Sequence, residues 1–293
     1  PKVIKPPNKA QTFAPSYSSS ASIMEPDPVF ELSGQRNKAK LGHPVEVSYG
    51  RPRNWPSYGA SPYNQFAGED QQSLYQLFCL GQGTFSDIVL QIEDTSIDNF
   101  SEVVYEIYQP GQEVTLFPDN IFTNTEVNGT EMFGPNEAEY TEWIGPYAVN
   151  PATTVTTEIQ IDITLPGGLN NQTESGGLSA VNVAALWEYR EINDYGGPVA
   201  GATWQTLGTF SKTLATIDTK RYTLFFPVTA GRYEVRGHRT DDKSTNYRVT
   251  NTVTWYQLRA FLPSKRVYPG KTMLAVKSRA TNQLNDSSSN RIN

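Results

Sequence analysis

Between residues 158 and 165 the chain alternates without a break. Ile159, Ile161, Ile163 and Leu165 are apolar, Glu158, Gln160, Asp162 and Thr164 are polar, and Pro166-Gly167-Gly168 ends the run. Period two belongs to a strand with one face in a core and the other toward water; a helix would scatter those four apolar side chains around its circumference. Alternating segments recur at 181–192, 203–214, 221–228, 231–239 and 252–261, separated by turn clusters such as Asn193-Asp194-Tyr195-Gly196-Gly197 and Thr240-Asp241-Asp242-Lys243. Short strands at near-regular spacing over ~100 residues predict a β-sandwich. Trp187, Tyr189, Trp204 and Trp255 are expected in its core or between its sheets. In 231–239, Tyr233, Val235 and Gly237 face one way, while Arg232, Glu234, Arg236, His238 and Arg239 supply the solvent face and the strand's end.

Upstream the pattern is looser. Val45, Val47 and Tyr49 alternate with Glu46 and Ser48 before Gly50, which predicts a half-buried strand at 44–49. Residues 74–80 are nearly continuous apolar and close at Gly81-Gln82-Gly83, as in a strand buried on both faces or a short buried helix. Cys79 is expected to pack there as a small hydrophobe. Ile88, Leu90 and Ile92, then Val103, Tyr105 and Ile107, read as two strands of a meander with a turn at 94–99. After Pro263, residues 272–280 alternate in a new register and are expected to leave the sandwich and return to the first part of the chain.

The ends are different. Residues 1–36 carry six prolines and Ser18-Ser19-Ser20 with little apolar periodicity, so they cannot bury enough surface to fold alone. They read as an extended arm that orders against a neighbour, or as a linker. Residues 282–293 look polar throughout, as if the chain were cut from a larger one. The opening Pro1-Lys2-Val3 has no signal-peptide core, and no stretch approaches the ~20 apolar residues that span a bilayer.

Composition removes whole classes of chemistry. One cysteine excludes a disulfide framework within the chain and a Cys-rich metal site, and two histidines, His43 and His238, exclude an HExxH helix. A net charge of −6, from 24 basic and 30 acidic residues, lacks the footprint of a duplex-binding protein. No GxGxxG, P-loop or GxSxG is present. Glu131, Glu137, Glu139 and Glu142 gather around Gly134-Pro135-Asn136, but loop carboxylates lack the burial that separates two pKa values for acid–base work. Asn128-Gly129-Thr130 and Asn171-Gln172-Thr173 match the glycosylation acceptor pattern by chance. No catalytic residue, cofactor-binding residue or metal ligand is assigned, no cofactor is expected, and the chain is not read as an enzyme. On the usual apolar set the chain is roughly 39% apolar against ~45–50% for globular chains, a deficit that points to burial completed by other subunits.

Several segments carry a family resemblance. Gly231-Arg232-Tyr233-Glu234-Val235 after Ala230 resembles the penultimate strand of a fibronectin type III domain. Asn37-Lys38-Ala39-Lys40-Leu41-Gly42-His43-Pro44-Val45-Glu46-Val47-Ser48-Tyr49-Gly50 is similar to the NxAxxGxPxPxxYG entry of central tail hub, or tip attachment (J-type), proteins of long-tailed, siphovirus-like bacteriophages, with Glu46 where a second Pro is common. Leu77-Phe78-Cys79-Leu80-Gly81-Gln82-Gly83 resembles their LCLGEGEI. Ile92-Glu93-Asp94-Thr95-Ser96-Ile97 resembles IGDTPI, with Glu and Ser replacing Gly and Pro. Residues 161–169 resemble DFVFPRGL, 231–240 GRYEVRVRRT, and 279–285 the ATDQLN that precedes further domains.

The resemblance implies an all-β fold: a β-barrel-like tail hub domain with an inserted fibronectin type III-like β-sandwich, plus an extended N-terminal arm. It divides the chain into the arm (1–36), the first part of the hub domain (37–150), the sandwich (151–263) and a truncated return segment (264–293). The implied role is a structural virion component at the tail tip, assembled in the host cytoplasm, that closes the tail tube and takes part in host attachment and DNA release. The implied partners are the chain itself as a homotrimer, the distal tail and other tail tip or baseplate proteins, the tape measure protein and a host surface receptor; DNA passes nearby without specific binding. The alternative reading is a β-sandwich receptor- or carbohydrate-binding module of a phage or cell-surface protein.

Overall fold

The computed structural model describes residues 44–67, 71–281, 284 and 292. The expected arm at 1–36 and the opening of the hub motif at 37–43 lie outside the described residues. In chain order the strands are β1 (Ser57–Tyr58), β2 (Tyr63–Ala67), β3 (Gln71–Gln82), β4 (Gln91–Ile92), β5 (Thr95–Ser96), β6 (Val103–Tyr108), β7 (Ile121–Asn124), β8 (Thr130–Glu131), β9 (Ile144–Ala148) and β10 (Thr156–Leu165). They continue as β11 (Asn170–Gln172), β12 (Leu178–Ser179), β13 (Val181–Glu191), β14 (Gln205–Leu214), β15 (Lys220–Gly231), β16 (Tyr233–Arg239), β17 (Val249–Thr250), β18 (Thr254–Phe261) and β19 (Lys271–Arg279). The described residues contain no α-helix; the one helical turn is 3-10, at Ile97–Asn99.

The first sheet runs β1-β3-β19-β6, with β2 also paired to β3. Its two central strands, β3 and β19, are covered on both faces, which is why their sequences are apolar without clean alternation. Leu74, Phe78, Leu274 and Val276 pack on one side with Leu90, Ile92 and Ile97. Leu77, Met273 and Ala275 pack on the other with Tyr63, Tyr108, Val114 and Phe117. β19 enters this sheet antiparallel to both β3 and β6. Leu284 and Ile292 are buried in the first cluster, and Ile292 bridges Ile92, so the tail after 281 is not polar throughout.

Two further sheets form the sandwich, β15-β10-β18-β7 and β14-β13-β16-β9. At 158–165 the apolar face is buried as its period requires, with Ile159, Ile161, Ile163 and Leu165 at most 1% exposed. Gln160 and Asp162, on the face expected toward water, are buried too, because β2 lies against it. Burying each of the four apolar side chains stabilises by ~1.5–3 kcal/mol before entropy is counted. They face Val183, Ala185, Trp187 and Val235 of the opposite sheet. Trp187 and Trp255 meet edge to face between the sheets, 6.0 Å between centroids, and Tyr147 meets Trp255 at 5.7 Å. β7, β8 and β9 precede residue 151 yet belong to these sheets.

Three further expectations fail for identifiable reasons. Residues 44–49 are extended but form no strand; Glu46 C=O accepts from Gln82 N–H at 3.0 Å, while Val47 and Tyr49 stay 52% and 89% exposed. The predicted strand at 88–92 shrinks to β4, because positive φ at Asp87 and Glu93 (52° and 54°) bends the chain on either side. Arg239, expected toward solvent at a strand end, has a fully buried side chain, since Asp241 folds back to take its Nε and Nη2 at 3.1 and 2.7 Å.

Gly237 explains a detail of the core. A Cβ there would strike the Trp187 ring, meeting Nε1 and, at 2.5 Å, Cδ1. Trp187 is itself 0% exposed and has nowhere to turn. Gly237→Ala should therefore destabilise the sandwich by roughly 1–3 kcal/mol, the usual cost of overpacking. Urea unfolding followed by tryptophan fluorescence measures it, and an unchanged midpoint would show that the sheets yield.

Candidate functional site

The outer face of β14-β13-β16-β9 is where this chain concentrates charged and aromatic side chains. Alternation puts Glu188 and Arg190 of β13 on that face, with Glu234, Arg236 and His238 of β16. The antiparallel register sets Glu188 directly opposite Arg236 and Arg190 directly opposite Glu234. Opposite charges across adjacent strands support the sheet. Arg190 Nη2 lies 2.5 Å from Glu234 Oε1, and Arg236 Nη2 lies 2.6 Å from Glu188 Oε2; all four side chains are at least three-quarters buried.

Two tryptophans from loops cross this charged lattice. Trp143 comes just before β9 and Trp204 just before β14. The Arg236 guanidinium lies 3.9 Å from the Trp143 centroid and 4.1 Å from that of Trp204. Arg190 covers Trp204 at 4.4 Å, and His238 stacks on Trp143 at 4.3 Å with ring planes 30° apart. The order His238, Trp143, Arg236, Trp204, Arg190 is a continuous ladder of five planar groups. Each cation over an aromatic face contributes ~0.5–1 kcal/mol when exposed and ~2 when desolvated. Trp204 is thus a half-buried rung of this ladder and not a core residue, and His238 is not an ordinary surface residue. Tyr189 packs half-buried on Tyr233 at 5.5 Å, while Trp187 and Trp255 occupy the core as expected.

The ladder has a chemical consequence. Each tryptophan is half-buried with two of these groups against its ring. Partly exposed tryptophan and arginine are residue types enriched where proteins meet. Trp143 was invisible to periodicity because it sits in a loop; the alternation Glu234, Arg236, His238 beside Glu188 and Arg190 was the signal that could have found the lattice.

The glutamates at 131–142 do not form an acid–base pair. Lys243 Nζ takes both Glu131 Oε1 at 2.7 Å and Glu137 Oε1 at 3.1 Å, and its pKa is raised, first by the Glu131 hydrogen bond. Glu139 and Glu142 are exposed. This clamp, with Asn136 bonding Lys243 C=O and N–H, ties the loop carrying Trp143 to the 240–248 loop. Among the described residues no group of three or more His, Cys, Asp and Glu is placed to hold a metal ion. On the first sheet, Cys79 lines a cavity of about 90 Å³ with Pro44, Val45, Tyr58 and Leu80; burial pushes its thiol pKa up, away from a reactive thiolate. His43 lies outside the described residues.

Arg236→Ala would free both tryptophans and leave Glu188 without its partner, a loss of about 1–3 kcal/mol measurable by thermal unfolding. Burial lowers the His238 pKa from 6.5, with Glu188 and Glu142 opposing and Arg236 adding to the lowering. The unfolded chain then binds the proton more tightly, so this contribution is complete above the unfolded value of about 6.5 and is lost as pH falls toward the folded value. His238→Gln should flatten that part of the stability profile below pH 7. Identical profiles for both proteins would remove His238 as the source.

Residues 145–264 match the family model of the FNIII-A domain of tip attachment protein J. The match starts within β9 and ends just past β18, so it takes in strands of both sheets and the ladder's β13 and β16 rungs, and leaves out β7, β8 and Trp143. No curated protein matches the chain. Among solved structures, the stem and receptor binding domain of spike protein P1 from bacteriophage PM2 is 10% identical, covering 80% of this chain and 100% of that one, with a TM-score of 0.28. The P1 receptor binding domain alone is 10% identical over 49% of this chain and 95% of that one, TM-score 0.27. The T13 particle of infectious bursal disease virus is 11% identical over 74% and 46%, TM-score 0.25. Scores this low establish no shared fold. The family match and the sandwich agree with the motifs of the sequence: over residues 145–264, less than half of its length, this chain is similar to the FNIII-A domain of tip attachment protein J.

Proposed function

We propose that the chain is a structural component of a phage virion, placed at the distal end of the tail, where it closes the tail tube and takes part in host attachment and DNA release. The observation that carries this reading is the match of residues 145–264 to the FNIII-A domain of tip attachment protein J. In this reading the first sheet makes the hub, and the sandwich, with β7, β8 and β9 from before residue 151, is borne on it. The partners are two further copies of the chain, the adjoining tail tip proteins, the tape measure protein and a receptor on the host. No catalysis is part of the role.

Physical features support the reading. A net charge of −6 lets DNA pass without the counterion release that drives binding. Val47 and Tyr49 sit in a segment whose alternation calls for burial yet are exposed in the single chain, as expected of a strand completed by another subunit. The ladder offers aromatic and arginine edges, which are enriched where proteins meet.

Two measurements test this. Light scattering of the purified full-length protein should give three times the chain mass, and a monomer would reject the trimer. Gold-labelled antibody against the sandwich should mark the distal end of intact tails; label on the capsid or along the tube would reject the tail tip role.

A further inference from the structure

The sandwich and the first sheet are joined by two chain crossings, 109–120 and 262–270, and these crossings pair with each other. Gly111 N–H donates to Tyr268 C=O at 3.2 Å, Glu113 bridges Val267, and Val114 N–H donates to Arg266 C=O at 2.9 Å. Arg266 Nε then donates to Pro118 C=O at 3.0 Å, with its guanidinium 5.3 Å from the Phe117 ring. Val114 and Phe117 of the first crossing are buried against the first sheet, so the paired neck is anchored there and runs into the sandwich at β7 and β18.

Beside the neck lies a second connection of different chemistry. β2 is paired to β3 in the first sheet, Tyr63 opposite Tyr75 through Ala67 opposite Gln71. Its other contacts reach three strands of the sandwich. Tyr63 Oη donates to Gln160 Oε1 of β10 at 2.7 Å, Phe66 N–H donates to Thr223 Oγ1 of β15 at 3.0 Å, and Asn64 C=O accepts from Arg259 Nη1 of β18 at 3.0 Å. All three converge on Asp162. Its Oδ1 accepts from Gln160 Nε2 at 2.7 Å and from Thr223 Oγ1 at 2.8 Å, and its Oδ2 faces Arg259 Nη1 at 2.9 Å. Ring contacts add to these: Phe261 meets Tyr63 edge-on at 6.0 Å, Arg259 lies 5.2 Å from the Tyr63 ring and Arg221 5.2 Å from that of Phe66, and Tyr63 sits in an apolar cluster against which Ile121 and Phe261 pack.

We propose that β2 is a strap that fixes the angle between the sandwich and the first sheet, and that its release lets the sandwich swing on the paired neck. The chemistry suits a releasable contact. Hydrogen bonds across the strap can be exchanged for bonds to water at a net cost of ~1 kcal/mol each, whereas an apolar interface of the same reach would be held by its whole area. Asp162 keeps Arg259, Gln160 and Thr223 when the strap leaves, so the sandwich retains its own charge pair and its fold. Detachment then changes orientation without unfolding either part, as in hinge closure of domains.

The test uses the full chain. Tyr63→Phe with Arg221→Gln removes the strap's hydroxyl donor and the cation over Phe66 while leaving every partner of Asp162 in place. Hydrogen exchange at Phe66 should rise about tenfold to thirtyfold, the equivalent of one hydrogen bond and one cation–π contact. Exchange at Val149, whose N–H is bonded to Tyr233 C=O inside the sandwich, should stay unchanged. Spin labels on cysteines replacing the exposed Tyr195 and Val89, in a Cys79→Ser background, should give one distance in the parent and a broader distribution reaching longer distances in the double variant. A single unchanged distance would overturn the proposal, whether or not Phe66 exchange rises. Equal acceleration at Val149 would overturn it too, because the network would then belong to the stability of the sandwich itself.

Discussion

A carboxylate 3% exposed is the constraint around which this molecule is arranged. Moving a charged carboxylate into a protein interior costs several kcal/mol unless partners surround it. Asp162 lies on the face of β10 opposite the isoleucines, a face that alternation assigns to water. Burial raises its pKa, and Arg259 first, then Gln160 and Thr223, pull it back. Those partners come from β18, β10 and β15, so one side chain fixes the relation of three strands. They also present the outer face of the sheet as a ready set of donors and acceptors for β2. The joint between the two parts of the chain follows from satisfying one buried acid.

The opposite sheet solves a similar problem without burial of an isolated charge. Glu188, Arg190, Glu234 and Arg236 neutralise one another in register, and Trp143 and Trp204 cover the guanidinium faces. The two outer faces of the sandwich are therefore unlike. One is committed to the first sheet through β2, and the other carries a partly open stack of aromatic and arginine edges. That asymmetry leaves the ladder side of the sandwich without a contact from β2, while the Asp162 side joins the first sheet.

The sandwich was legible from the sequence because its strands keep apolar side chains on one face and polar ones on the other. Ile159, Ile161 and Ile163 announced β10, Tyr233 and Val235 announced β16, and the turn at 193–197 fell where Asn and Gly demanded it. The first sheet was less legible. β3 and β19 are buried on both sides, so their apolar runs gave length and not orientation. At 44–49 the periodicity was real, but a pattern that calls for burial does not name the chain that supplies the cover. The candidate site was half visible: charged positions on β13 and β16 could be read, while the tryptophans that cross them come from loops, where no period operates.

The sequence alone determined the all-β class, the strands of the sandwich, the absence of nucleotide-binding and hydrolase motifs, and the motif order that resembles tail tip proteins. Those properties depend on local alternation, turn residues and composition, which are written along the chain. Tertiary structure decided that Gln160 and Asp162 are interior, that Arg239 is buried, that Glu131 and Glu137 share Lys243, and that Trp143 and Trp204 clasp Arg236. Each of these depends on which strand lies beside which, across separations of up to about a hundred residues and more, and alternation specifies which way a side chain points without specifying what it will meet.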